Sequence, residues 1–129
     1  MALEVNFIPN TDYLLVNVSG IYDMPGTVDE FALVISTCRK KNHNKVLIDY
    51  RQLDGDIAAT EKMIYTMKII DLLKTHYKSG GQQLFIAFLG KIPQISTFEP
   101  GADLADQEGW PYILTKDIDE ALSWLKECV

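Results

Sequence analysis

Two stretches of this chain are apolar at every position, Val46-Leu47-Ile48 and Leu84-Phe85-Ile86-Ala87-Phe88-Leu89. Side chains alternate between the two sides of a strand, so an unbroken apolar run suits a strand covered on both faces, the pattern of a parallel sheet flanked by helices. The neighbouring segments carry helical periodicity. Thr27-Val28-Asp29-Glu30 fits a capping box, followed on one helical face by Phe31, Val34, Ile35 and Cys38, with a stop near Asn42-His43-Asn44. Ile57 to Tyr77 consists of good helix formers, with Met63, Met67 and Ile70 on one side and Tyr65, Ile69 and Leu72 beside them. This predicts a long, largely buried helix ended by Ser79-Gly80-Gly81.

The ends of the chain complete the pattern. Leu3 to Ile8 alternates apolar and polar residues before the turn Pro9-Asn10-Thr11-Asp12, and Tyr13 to Tyr22 is rich in β-branched and aromatic residues, which predicts an antiparallel hairpin. Gln52 to Asp56 reads as a polar loop, Gly90-Lys91-Ile92-Pro93 as a strand stop, and Pro100 to Gln107 as a short helix. Trp110 to Leu114 reads as a last short strand, which Pro111 pushes to a sheet edge. Asp117-Ile118-Asp119-Glu120 caps a final helix with Ile118, Ala121, Leu122 and Leu125 on its apolar face. The order β-β-α-β-α-β-(α)-β-α predicts an α/β fold: an N-terminal hairpin leading into β-α units, with a mixed, mostly parallel sheet of about five strands flanked by helices.

With 129 residues, 47% of them hydrophobic and 23% charged, residues 1–129 form one ordinary globular domain. The formal net charge of −6 repels nucleic acid. One basic run, Arg39-Lys40-Lys41 with His43 and Lys45, falls at a predicted helix end, where cations complement the dipole. No signal-like start or spanning apolar stretch occurs, so a cytoplasmic protein without stable membrane insertion is expected. Cys38 and Cys128 support neither a disulfide framework nor a zinc site: Cys38 reads as a buried small hydrophobe and Cys128 as a terminal, exposed thiol.

Ligands of open α/β sheets collect beyond the carboxyl ends of the strands, which directs attention to Asp49–Asp56 and Gly90–Gly101. Asp49 closes an apolar run as a phosphoacceptor aspartate does, but the phosphatase pattern wants a second Asp where Arg51 stands. The receiver-domain pattern wants an acidic pair where Ile8-Pro9-Asn10 turns into the hairpin. Asp49 is therefore expected to pair with Arg51 or Lys45, or to accept backbone N–H groups. Asp54-Gly55-Asp56 lacks further oxygen ligands for a cation, and no phosphate-loop motif occurs. His43 and His76 have no neighbouring nucleophile and read as surface or helix-end residues. Met63, Met67 and Ile70, like Trp110 and Trp124, read as packing residues. No catalytic residue, metal site or cofactor is assigned.

The element order, the hairpin ending in Val18-Ser19-Gly20, the segment Lys45-Val46-Leu47-Ile48-Asp49 and the closing Asp119-Glu120-Ala121-Leu122-Ser123-Trp124-Leu125 together resemble STAS and anti-sigma-factor antagonist domains, and more closely their SpoIIAA-like branch of small bacterial proteins. The resemblance spans nearly the whole chain. It implies a SpoIIAA-like fold and a non-catalytic regulatory module that binds a protein partner or a small apolar or anionic ligand. Regulatory members carry a phosphoacceptor Ser where the third strand's loop enters its helix. The matching stretch here, Asp54-Gly55-Asp56-Ile57-Ala58-Ala59-Thr60, has none, and Asp56 places a permanent negative charge near a helix N-terminus. Asp49, Arg51, Asp54, Asp56, Thr60 and Lys91 are the expected ligand- or partner-binding residues. The rival expectations are a small enzyme using Asp49 and Arg51 with Lys91 opposite, and a structural homodimer pairing along the Leu3–Ile8 edge.

Overall fold

The computed structural model describes residues 3–9, 12–55, 59–91 and 106–128. Strands β1 (Glu4–Pro9) and β2 (Leu14–Ile21) form the expected antiparallel hairpin. Helix α1 (Met24–Lys41) leads to β3 (Lys45–Asp54), and α2 (Ala59–Lys78) to β4 (Phe85–Leu89). A helical turn at 106–108 precedes β5 (Tyr112–Thr115) and α3 (Ile118–Glu127). The sheet order is β1-β2-β3-β4-β5, parallel from β2 to β5, with β5 at the edge that Pro111 predicts. The remainder of the expected Pro100–Gln107 helix lies outside the described residues. Among the described residues no helix is long and apolar enough to cross a membrane.

The strand order explains how the layers are filled. Each parallel crossover steps to the next strand in one direction, and crossovers of a single hand lay their helices on one face. Accordingly α1 and α2 cover the same side, where Phe31, Val34 and Tyr65 pack on Val16, Ile48 and Tyr50. Among the described residues the opposite side is covered by α3, through Ala121 and Leu125 on Leu47, Ala87 and Leu89. Val46, Leu47 and Ile48 are all buried, as a run covered on both faces requires.

Three expectations are corrected. Helix α1 starts before Thr27: Asp23 is its cap and accepts from the Gly26 amide at 3.0 Å, while the Thr27 hydroxyl donates to the Asp23 carbonyl at 2.8 Å. Pro25 favours this earlier start, because its missing N–H falls among the first-turn amides that have no helical partner. Glu30 is consequently free of the cap and turns into the core, 1% exposed. The second correction concerns Gln52–Asp54, read as loop but part of β3, where Gln52, Leu53 and Asp54 pair with Ser19, Gly20 and Ile21. The third concerns α2: Met63 and Met67, expected inside, face solvent with Ile64, while Tyr65, Ile69 and Ile70 are buried as expected and Leu73 joins them.

The register of β3 explains why its carboxyl half escapes a simple alternation test. From Asn17 to Ser19 the partner positions advance from Asp49 to Gln52, so β3 carries one extra residue there, a β-bulge. The bulge shifts the phase of the strand and returns Leu53 to the face of Ile48 and Tyr50, where it is buried. It also interrupts the backbone ladder, and the Arg51 amide donates to Asp49 Oδ1 at 3.0 Å. The Arg51 side chain folds back on the same carboxylate, Nε to Oδ1 at 3.1 Å and Nη2 to Oδ2 at 2.9 Å. Asp49 is thus the clamp of the bulge. Asp49→Ala is expected to cost roughly 2–3 kcal/mol of unfolding free energy in urea, the loss of charge-assisted hydrogen bonds at a buried acceptor. Arg51→Ala, which leaves the amide bond intact and removes a half-exposed ion pair, is expected to cost about 1 kcal/mol or less. Equal costs for the two variants would show that the clamp is an ordinary ion pair.

Candidate functional site

The clamp settles the geometry of two expected site residues. Asp49 is 8% exposed and lies within β3, paired in register with Leu89, so it is not at a strand end. Its carboxylate is committed to Arg51 on both oxygens. The true carboxyl edge of the sheet lies further on, at Asp54 and Gly55, Tyr22, and Gly90-Lys91. The Tyr22 amide donates to the Asp54 carbonyl at 2.7 Å, and the Gly90 amide to that of Thr115 at 3.0 Å. Gly55 sits at φ 114°, and a side chain there would also press on the Tyr22 backbone at 3.4 Å, so glycine permits the exit from β3. Lys91 Nζ reaches to 3.9 Å from Asp54 Oδ1, a loose, exposed ion pair across the edge. Thr60 is exposed in the first turn of α2, and Asp56 lies outside the described residues. The structure therefore brings Asp54 and Lys91 together and separates Asp49 and Arg51 from them into a clamp of their own.

Beside this edge the amino half of α2 exposes Thr60, Met63, Ile64 and Met67, spaced three and four apart and so lying along one stripe of the helix. Leu33 of α1 is likewise 54% exposed. Methionine at helical spacing is the same signal that a core face gives, which is why sequence periodicity assigned Met63 and Met67 to the interior.

Behind the edge lies a polar cluster that periodicity also missed. The Tyr50 hydroxyl is 3.4 Å from Glu30 Oε1 and 2.8 Å from the Tyr65 hydroxyl, all of them buried. Glu30 Oε2 and the Tyr22 hydroxyl are buried without a hydrogen-bond partner. Burial pushes the Glu30 carboxyl up to about 8, opposed in part by the Tyr50 hydrogen bond. Burial, followed by the charges of Glu61 and Asp23, pushes the Tyr22 phenol up to about 12. The available signal was positional: Glu30 adjoins Phe31 and sits four residues before Val34, on the buried stripe.

On the other flank of α2, against β4 and β5, is an apolar cavity of about 70 Å³ walled by Ile70, Leu73, Tyr77, Phe88 and Trp110 among others. Ile70 therefore does line a cavity, and Trp110 packs on Tyr77 with ring centroids 5.2 Å apart. The size decides its use. Small-molecule sites run to roughly 300–1,000 Å³, and an empty apolar cavity of about 150 Å³ takes up benzene, so this one is a packing gap as it stands. Neither this cavity nor the polar cleft at the other end of the sheet is lined by Asp49 or Arg51.

No protein-family model matches the chain, and no curated protein does. Solved structures do. An anti-sigma factor antagonist from Mycobacterium paratuberculosis is 17% identical, with 98% of this chain and 96% of that one covered and a TM-score of 0.60. The unphosphorylated anti-sigma factor antagonist SpoIIAA is 11% identical over 98% of this chain and 100% of its own, with a TM-score of 0.51. An uncharacterised protein with a SpoIIAA-like fold from Shewanella loihica is 18% identical over 95% and 93%, also with a TM-score of 0.51.

The Glu30 cluster carries a pH dependence with a definite sign. The folded-state value lies above the ordinary 4.5, so the folded protein holds this proton more tightly than the unfolded chain. The resulting stabilisation is full below about pH 4.5 and is lost as pH rises through about 8. Relative to Glu30→Gln, the wild type should lose on the order of 4 kcal/mol of unfolding free energy between pH 5 and pH 9. Parallel stability curves for the two proteins would mean that Glu30 is ionised in the fold. The five-stranded sheet, its helices and their order, together with these structural likenesses, give the chain the SpoIIAA-like fold.

Proposed function

We propose that this chain is a non-catalytic regulatory module of the cytosol that binds a protein partner through the carboxyl edge of its sheet and the amino half of α2. The observation that carries this reading is the stripe Thr60, Met63, Ile64 and Met67, left uncovered beside Asp54 and Lys91. Apolar side chains grouped on a helix and rimmed by charges are the usual make-up of a surface that another protein covers. Support also comes from two of the similar structures, which are anti-sigma factor antagonists, a name that states an action on another protein. Asp54, Thr60 and Lys91 are assigned to this surface. Asp49 and Arg51 contribute by holding β3 in the register that delivers Asp54 to the edge.

A small enzyme working through Asp49 and Arg51 has less in its favour, because their charges are spent on each other and neither lines a cavity described above. Self-pairing along β1 is disfavoured by its own ends: Glu4 charges one and Pro9 lacks an amide to donate at the other.

The test is quantitative affinity capture from extracts of the native host, comparing the wild type with Ile64→Asp/Met67→Asp. Both side chains are exposed, so the melting temperature should be unchanged while capture of a specific protein falls by about tenfold or more, as for loss of an interface hot spot. A partner retained undiminished by the double variant would remove α2 from the interface. Adding Asp54→Ala and Lys91→Ala separately then reports on the rim, where smaller losses are expected.

A further inference from the structure

The basic run Arg39-Lys40-Lys41 with His43 ends α1, and His76 sits in the last turn of α2. The structure brings Arg39, Asn42, His43, His76 and Gln82 around one open polar cleft of about 250 Å³ at the amino end of the sheet. That volume approaches the roughly 300 Å³ at which small-molecule sites begin. His76, read from sequence as a surface or helix-end histidine, is only 3% exposed.

The groups around the cleft are incompletely used. Arg39 spends one guanidinium nitrogen on Ser79 Oγ at 3.2 Å and keeps other N–H donors. His76 Nε2 lies 2.9 Å from the Gln82 carbonyl oxygen, which can only accept, so Nε2 donates there. Nδ1 is buried with no partner. The ring holds this place because residue 81 is glycine: a Cβ there would collide with the His76 ring. Two of the helix-end carbonyls beside the cleft are already engaged. The Cys38 carbonyl accepts from the amides of Asn42 and His43, and the His76 carbonyl accepts from the Gly81 amide and the Ser79 hydroxyl. Among the described residues no group of three His, Cys, Asp or Glu side chains is placed to hold a metal ion.

The geometry points to a second binding site in this cleft, for a small phosphate-bearing anion. Arg39 and the side-chain amides of Asn42 and Gln82 supply donors for the anionic oxygens. A long polyanion is not the ligand, since the chain as a whole carries a net charge of −6.

The test is a titration of the ¹⁵N-labelled full chain with inorganic phosphate and, separately, with glycerol 3-phosphate, followed through backbone amide shifts. Saturable shifts are expected for Asn42, His43, Gly80, Gly81 and Gln82. Arg39→Gln should weaken binding by about tenfold or more, as for one charge-assisted hydrogen bond, without changing the melting temperature. Lys40→Gln/Lys41→Gln, which alters exposed neighbours outside the cleft, should stay within about twofold. Tighter binding of glycerol 3-phosphate assigns an organic phosphomonoester, and tighter binding of inorganic phosphate assigns the free ion. Shifts that fail to saturate in the tens of millimolar, or equal weakening in the Arg39 and the lysine variants, overturn the site in favour of diffuse charge attraction.

Discussion

The extra residue in β3 is the constraint on which the carboxyl end of this sheet depends. Without it, the strand's alternation would place Leu53 on the side of Asp49 and Arg51, away from the core it fills beside Ile48 and Tyr50. A bulge leaves backbone polar groups without ladder partners, and a buried unpaired amide costs about as much as a lost hydrogen bond. Asp49 removes that cost by accepting from the Arg51 amide, and Arg51 neutralises the carboxylate thereby drawn inward. Register, core filling and the delivery of Asp54 to the sheet edge are therefore consequences of one local arrangement.

A second consequence follows from strands taken in sequential order. With α1 and α2 on one side, the helix-helix seam must be filled from α1, β3 and α2 together, and the residues that meet there are Glu30, Tyr50 and Tyr65. A carboxylate so placed is expensive as an ion, and holding its proton is the cheaper state. The phenols gain one short hydrogen bond between themselves, while Glu30 Oε2 and the Tyr22 hydroxyl go without. Two of the three buried side-chain atoms without a hydrogen-bond partner among the described residues are thus Glu30 Oε2 and the Tyr22 hydroxyl.

The parts of the structure legible in the sequence are those where one physical demand acts alone. The continuous apolar runs at Val46–Ile48 and Leu84–Leu89 revealed the central strands, and Asn42 in the left-handed region and the Asp117 cap closed or opened helices as their residue types require. Legibility failed where two demands competed for one residue. Glu30 fits a capping box and also lies on the buried stripe, and Asp23 with Pro25 won the cap. Met63 and Met67 have the spacing of core residues, but Thr66, Ile70 and Leu73 took the inner face of α2. The bulge was invisible because Tyr50-Arg51-Gln52 breaks the alternation that would extend the strand. His43 and His76, remote in sequence, share a cleft only because their helices end at the same end of the sheet.

That shared direction shapes what each end of the molecule can bind. Each parallel β-α unit starts its helix at the carboxyl end of the sheet and finishes it at the amino end, so every helix here brings its C-terminal dipole to the amino end. Each last turn carries cations that complement it: Arg39, Lys40 and Lys41 in α1, Lys78 in α2, Lys126 in α3. Asp23, Asp54 and Glu61 gather at the other end, beside the apolar stripe of α2. From Ile64 to His76 the helix climbs about 18 Å, roughly two Debye lengths at physiological salt. Charge brought to one end is therefore largely screened from the other. A protein laid on the carboxyl edge and a small anion held at the amino end would not compete, and any coupling between them would have to pass through the packing of α2.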